Sequence, residues 1–279
     1  MKTKTPPLSK LYMFLVFLFL YAPIFVLFLY SFNASSSTNV FSGFSLRWYQ
    51  ALLKDEESIK ALYNTLILAV SSAAVSTVMG TAAAVGINSL KNKYVKSTVM
   101  TVTNIPMMNP EIVTGISMML LFVFVGKLLN MTNVLGFWTM LIAHVTFNLP
   151  YVILSVMPKL RQLDTHLPEA AMDLGCTPTK AFFKVVMPSI MPGIISGMIM
   201  AFTLSLDDFV ISYFTTGPSF QTLPIRIFSM TKKRVKPDMY ALSTIIFLAV
   251  LILLILVNVA QSRSEKKAIK KETVEEGEI

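Results

Sequence analysis

The chain has 279 residues, of which 54% are hydrophobic and 14% are charged, and its formal net charge is +9. A soluble domain carries about a quarter charged residues, so the composition excludes an ordinary soluble protein. The mean hydropathy is +0.65, and the charges lie in short clusters between long neutral stretches. The sequence therefore predicts an all-α integral membrane protein with about six transmembrane helices.

Six segments are long enough to span a membrane. A spanning helix needs about 20 apolar residues to cross about 30 Å of hydrocarbon, and none of the six has the polar face of a soluble-protein helix. In chain order they are 11–32, 61–90, 97–126, 128–158, 185–216 and 239–262. We expect 1–262 to be a single transmembrane domain, with 11–32 retained rather than cleaved as a signal peptide. The charged tail 263–279 is expected to be disordered.

Lys and Arg are unevenly divided between the segments that join the predicted spans. With both termini in the cytoplasm, the inner segments hold 15 Lys and Arg and the outer segments hold 9. The positive-inside rule therefore predicts cytoplasmic termini, although the basic run 232–236 then lies outside without a physical reason beyond a solvated loop. Because most of the positive charge lies beside the spans, it suits anionic lipid headgroups and does not indicate nucleic acid.

Three acids lie inside predicted spans. An ionisable residue at mid-membrane raises the free energy of insertion by about 2.5–3.5 kcal/mol, so we interpret such residues first as functional. Glu111 lies near the middle of the third segment, after Pro106 and Pro110, which can kink or break its helix. Asp207 and Asp208 are adjacent in the fifth segment, so a helix would direct them about 100° apart. The two carboxylates therefore cannot face one point.

Asp208 belongs to a predicted polar stripe at spacings of three and four residues. The other members are Ser205, Ser212 and Thr215. We predict that Asp208 lines a transport path and that Asp207 pairs with another helix or a partner subunit. Three acids without intramembrane Lys or Arg suit a cation, whether a polyamine, a metal ion or a cationic amino acid. The alternative is that all three acids only hold helices together by hydrogen bonds.

The segment 159–184, between the fourth and fifth predicted spans, has the pattern of two short helices separated by Gly175. Pro168 and Glu169 suit the first turn of one helix, and Thr177 and Pro178 suit the start of the next. An apolar helix face exposed in the cytosol, with anchors at i, i+3 and i+4, is suited to a groove on another protein.

This segment resembles the EAA motif of ABC importer permeases, whose usual form is E-A-A-x3-G-x9-I-x-L-P. The spacing matches throughout, and the matching residues are Glu169, Ala170, Ala171, Gly175 and Pro188. Val185 and Met187 replace the Ile and Leu of the motif conservatively. The resemblance implies that the segment forms a coupling helix, which sits in a cleft of a cytosolic ATPase.

Three further stretches resemble the spermidine/putrescine permease subunits of the second, C-type kind, and they extend the resemblance over residues from about 10 to 260. They are HVTFNLP (144–150), SLDDFV (205–210) and TLPIRIFSM (222–230). The resemblance implies a type I ABC importer permease fold with a coupling helix between spans four and five. It also implies that the chain forms half of the translocation path for a polyamine across the cytoplasmic membrane of a prokaryote.

The partners implied by the resemblance are an ABC ATPase dimer with ATP and Mg²⁺, a second homologous permease, an extracytoplasmic polyamine-binding protein and membrane lipid. The sequence has no Walker-type loop and no His/Cys metal cluster, so we expect neither enzymatic activity nor a cofactor in this chain. The alternatives are an ABC permease for another small cation or metal ion, and a secondary transporter or channel with inverted repeats. A membrane enzyme is a further alternative, and it would need a nucleophile and base or a metal site.

Overall fold

The structure is a computed structural model that describes residues 7–35, 40–164, 166–232, 240–245, 247, 248, 251, 252 and 255. Within these residues the regular structure is helical, apart from isolated β-bridges at Asn33–Phe44 and Gly217–Phe220, so the all-α fold class is confirmed. The helices are α1 (Pro7–Ser31), α2 (Arg47–Leu53), α3 (Glu56–Ser89), α4 (Lys93–Met108), α5 (Glu111–Leu128), α6 (Phe137–Gln162), α7 (His166–Asp173), α8 (Pro178–Ala181), α9 (Met187–Asp207), α10 (Val210–Thr215) and α11 (Leu223–Lys232). A π-helical turn, Phe182–Val186, joins α8 to α9.

Five helical stretches in the described part of the chain are long and apolar enough to cross a membrane. They are Leu8–Ser31, Glu56–Ser89, Glu111–Leu128, Phe137–Gln162 and Pro178–Asp207. The predicted sixth span, 239–262, lies largely outside the described residues, and the predicted tail, 263–279, lies wholly outside them. Residues 233–236 of the basic run are also outside, so these three expectations stay predictions.

The third predicted span contains a helix break rather than one helix. Asn109 and Pro110, both extended, separate α4 from α5, and we call them the α4/α5 break. A proline disfavours helical geometry in the residue before it and cannot donate a backbone hydrogen bond, which accounts for a break at this position. Pro106 lies within α4, so Pro110 is the proline that divides the predicted segment.

The fifth predicted span, 185–216, also has different limits. Its helix starts earlier, at Pro178, and ends at Asp207. Asp208 is extended, with φ of −61° and ψ of 123°, and α10 follows after Phe209; we call these two residues the α9/α10 break. The residues of the predicted polar stripe therefore do not lie on one continuous helix, although all four of them are buried.

The helices of the fourth and second predicted spans also differ from the prediction in where they start. The fourth predicted span, 128–158, starts later, at Phe137, because the chain turns after α5 with Asn130 at a φ of +53°. α3 starts earlier than predicted, at Glu56. Two acidic residues in its first turn interact favourably with the positive end of the helix dipole. This interaction explains why the helix includes charged residues that lie outside the apolar segment.

The described residues fall into two compact units, those within 1–60 and 226–253 and those within 61–225 and 254–279. In the first unit, α2 is attached to the end of α1 by two side-chain hydrogen bonds. The indole Nε1 of Trp48 donates to the backbone oxygen of Asn33 at 2.7 Å. The hydroxyl groups of Ser31 and Tyr49 are also 2.7 Å apart.

Arg226 of α11 makes two ion pairs within the first unit. Its guanidinium lies 3.4 Å from the carboxylate of Asp55 and also contacts Glu57. Partial burial raises the pKa of Asp55, but the hydrogen bond from the Ser58 hydroxyl and the charge of Arg226 outweigh it and hold the pKa below its ordinary value. These contacts link the start of α3 to α11.

The second unit is centred on close packing between α6 and α9. A Cβ atom on Gly193 would lie 2.8 Å from the backbone oxygen of Ser155, and one on Gly197 would lie 3.2 Å from Cα of Val152. The absence of side chains at these glycines lets the two backbones approach, as small residues do at helix interfaces in membranes. The buried apolar core around this contact includes Ala73, Ala84, Ile87, Val152, Ile153, Val156, Met157, Leu160, Ile190 and Ala201.

We predict that Gly193→Ala lowers the free energy of unfolding by about 1–3 kcal/mol, because the new methyl group would overlap the α6 backbone. Gly86→Ala is the matched control, since nothing lies within 4 Å of its Cβ position. Thermal melting of the purified protein in detergent measures both. Equal melting temperatures for the two variants would contradict the α6–α9 packing.

Candidate functional site

The residues matching the EAA motif lie on α7 and on the chain that follows it. Glu169, Ala170 and Ala171 are in α7, Gly175 follows its end, and Pro188 lies in the first turn of α9. α7 has no buried residue, and its surroundings expose large apolar side chains, with Leu174 88% exposed. The segment predicted to couple to an ATPase is thus an exposed, partly apolar helix between α6 and α9.

Gly175 ends α7 as the sequence predicts. Its φ of +87° is in the left-handed region that favours glycine. The N–H of Cys176 donates to the oxygen of Ala171 at 3.0 Å, and the N–H of Gly175 donates to that of Met172 at 2.9 Å. This pair of bonds is a Schellman motif, which satisfies backbone oxygens at the helix end.

The second predicted short helix, which starts at Pro178, is not a separate element. Thr177 caps it by accepting the N–H of Lys180, and Pro178 is in its first turn, as predicted. However, it continues through the π-helical turn into α9, and Ala181 is buried. Phe182 and Val185 are half-buried and Phe183 is 59% exposed, so exposed apolar side chains lie on this turn as well as on and next to α7.

Glu111 is the first residue of α5, directly after the α4/α5 break, and it is exposed. A carboxylate in the first turn of a helix is stabilised by the positive end of the helix dipole. Asp207 is the last residue of α9 and is also exposed. Two of the three predicted site acids thus lie on the surface of the chain, each beside a helix break.

Asp208 is buried and paired within the chain. Its carboxylate accepts the N–H of Ser212 at 2.7 Å and that of Ile211 at 3.3 Å, both at the start of α10. Nε2 of His144 lies 3.0 Å from the Ser212 hydroxyl and 3.5 Å from Oδ2 of Asp208. Asp208 thus joins α6, α9 and α10, whereas Asp207 is exposed. That Asp208 lines a path and that Asp207 pairs with another helix or a partner subunit stay predictions.

A second buried polar contact lies one helical turn along α6 from His144. The amide of Asn148 donates to the hydroxyl of Ser205 at 2.7 Å, and the Ser72 hydroxyl donates to the same oxygen at 2.8 Å. We call the two contacts together the polar seam. The sequence analysis did not assign His144 or Asn148 a role, although two polar residues four apart in an otherwise apolar segment indicate one polar helix face.

The two helix breaks lie at the same end of the packed pair α5 and α10. Gly115, in the second turn of α5, packs against the start of α10, since its Cβ position lies 3.5 Å from Cα of Ile211. Toward the other ends, Gly126 of α5 and Gly217 beyond α10 both pack against the loop 134–136. The two helices therefore run in the same direction from their breaks, and the exposed acids beside those breaks are at the same end.

Comparison with known proteins identifies relatives over nearly the whole chain. It is 41% identical over 254 residues to the putrescine transport system permease protein PotI of Escherichia coli (strain K12), covering 91% of this chain and 90% of that protein. It is 36% identical over 244 residues to the spermidine/putrescine transport system permease protein PotC of the same strain, covering 88% and 90%.

A solved structure has the same fold. It is the crystal structure of a bacterial ABC transporter involved in the import of the acidic polysaccharide alginate, with a TM-score of 0.72, 16% identity, and coverage of 91% of this chain and 94% of that chain. At this identity the likeness shows the fold alone, that of a type I ABC importer permease. Residues 76–270 match the family described as binding-protein-dependent transport system inner membrane component. The chain therefore belongs to this family, as a multi-pass transport component of the inner membrane.

Proposed function

We propose that the chain is a permease subunit of an ATP-driven ABC importer and forms half of the translocation path for a polyamine, putrescine or spermidine. The observation that carries the proposal is similarity over nearly the full length to two permeases whose names give these solutes. Exposed Glu111 and Asp207, at one end of the α5/α10 pair, suit a cationic solute in electrostatic terms. The partner subunits would be a second permease, an ATPase dimer and an external solute-binding protein.

In this proposal the chain itself binds no ATP, and the ATPase dimer holds ATP and Mg²⁺. The exposed α7 and Leu174 supply the surface on which the ATPase would dock, since apolar side chains on a short helix fit a groove of a partner. The distribution of Lys and Arg supports cytoplasmic termini, which place α7 on the same side as the ATPase.

The acids suggest how a cation would move along the chain. We place Glu111 and Asp207 on the path because each is exposed beside a helix break. Non-helical backbone inside a membrane is tolerated where it lines a cavity or is covered by protein. Asp208 is paired internally, so its contribution to the path is indirect. Binding in such a path must be weak enough for release.

The proposed solute can be tested directly. We expect the complex of this chain with its partner subunits, reconstituted in vesicles, to take up radiolabelled putrescine or spermidine only with ATP on the cytoplasmic side. Unlabelled polyamines should compete, whereas arginine, lysine and Mg²⁺ should not. ATP-dependent uptake of a radiolabelled metal ion or amino acid, without uptake of polyamine, would show an ABC permease for another cation. Uptake without ATP would indicate a secondary transporter.

Coupling can be tested at Gly175, where the left-handed φ penalises a β-branched residue by about 1–2 kcal/mol. We expect Gly175→Val to disturb the end of α7 and to lower polyamine uptake at normal complex levels, while ATP hydrolysis becomes independent of transport. Gly175→Asn is the matched control, because Asn tolerates this conformation. Equal uptake by the two variants would contradict a coupling function that depends on the end of α7.

The path can be tested by removing single charges. At an effective dielectric constant of about 20, a carboxylate about 10 Å from a cation stabilises that cation by about 1.7 kcal/mol. This free energy corresponds to a change of more than tenfold in the occupancy of the path by the cation. We expect Asp207→Asn and Glu111→Gln each to reduce polyamine uptake by about this factor at unchanged complex levels. Glu56→Gln, an exposed acid at the start of α3, is the control and should transport normally. Normal uptake by both Asp207→Asn and Glu111→Gln would place the path elsewhere.

A further inference from the structure

The α9/α10 break leaves backbone donors that need partners. A helix that starts anew has N–H groups without acceptors in its own first turn, and lipid offers none. In this structure the Asp208 carboxylate takes the N–H groups of Ile211 and Ser212. The side chain thus replaces hydrogen bonds that a continuous helix would have made with its backbone.

The Asp208 carboxylate also depends on a contact from another helix. Its side chain is 4% exposed, and a buried carboxylate needs hydrogen-bonding or charged partners. His144 of α6, 1% exposed, lies 3.5 Å from Oδ2 of Asp208 and 3.0 Å from the hydroxyl of Ser212. A proton on Nε2 can face both oxygens, so the imidazole connects α6 to the carboxylate and to the first turn of α10.

The two consecutive aspartates differ in their surroundings. Asp208 is directed inward to His144, and Asp207 is exposed. Because one peptide unit joins the two residues, the inward contact of Asp208 limits the positions that the Asp207 side chain can take. A substitution of His144 that moves Asp208 therefore also moves the adjacent Asp207.

We propose that His144 is a positioning residue for transport: by holding Asp208 at the α9/α10 break, it keeps the Asp207 carboxylate exposed at the end of α9. The inference rests on the proposed function only in giving Asp207 a place on the path. A purely structural contact between helices would affect complex stability without changing the exposure of position 207.

The position of residue 207 can be measured without transport. Asp207→Cys in a Cys176→Ser background leaves one cysteine in the chain, after assembly and uptake of the Cys176→Ser protein have been checked. The rate at which a charged maleimide labels the introduced thiol in the detergent-solubilised complex reports the access of water to this position. Detergent makes both sides of the complex accessible to the reagent.

Two His144 variants of similar polarity separate positioning from packing. In His144→Gln the amide nitrogen reaches the place of Nε2, whereas in His144→Asn it reaches only that of Nδ1. We expect His144→Gln to keep the labelling rate and His144→Asn to slow it by about tenfold, the change that loss of one hydrogen bond to a charged group produces. Thr139→Val is the control, because it removes the 3.1 Å bond from Thr139 to the backbone of Thr215 and the two bonds between Thr139 and Gly136 at the start of α6, none of which involves Asp208.

Equal labelling in His144→Gln and His144→Asn, or equally slow labelling in Thr139→Val, would overturn the proposal. Asp208→Asn weakens the same contact from the other side and should also slow labelling. A normal rate in Asp208→Asn would overturn the proposal even if His144→Asn does not assemble. Polyamine uptake by His144→Asn with Asp207 intact should fall by about the same factor. Slow labelling with normal uptake would support the role of His144 in positioning residue 207 and contradict the proposed place of Asp207 on the transport path.

Discussion

The absence of water from the lipid core requires each backbone N–H and C=O of a lipid-exposed span to find a partner within the protein. Continuous helices meet this requirement by themselves, so each helix break needs a separate chemical solution. At the α4/α5 break, Pro110 has no N–H that needs a partner, and the carboxylate of Glu111 interacts favourably with the positive end of the α5 dipole. At the α9/α10 break, the Asp208 carboxylate accepts two N–H groups of α10. These two acids are therefore located where the backbone stops being helical.

The same absence of water removes the hydrophobic drive between helices, so close packing and hydrogen bonds must hold them together. α6 supplies both kinds of contact to α9 and α10. Its C-terminal half packs directly on Gly193 and Gly197, and its N-terminal half carries the polar seam through Asn148 and His144. α6 therefore acts as the support against which the helix with the exposed Asp207 is positioned.

One helical stretch joins the proposed docking and transport regions. The stretch Pro178–Asp207 begins shortly after α7 and Gly175, includes the π-helical turn, and ends at the exposed acid. A helix of 30 residues is about 45 Å long. In the proposed function, a displacement of α7 by an ATPase would be transmitted along this stretch to the α9/α10 break. π-helical turns are frequent at functional sites, and here the turn lies beside the docking segment.

Sequence reasoning was sufficient for features that depend on local chemistry. The apolar segments, the end of α7 at Gly175 and the cap at Thr177 follow from hydropathy, glycine φ and side-chain capping. Which aspartate is buried could not be predicted, because adjacent residues have the same local sequence and only the approach of His144 distinguishes them. The partnership of Asn148 with Ser205 likewise joins residues far apart in the chain. Periodicity identifies a polar face, but only tertiary packing decides whether that face meets another helix or remains accessible.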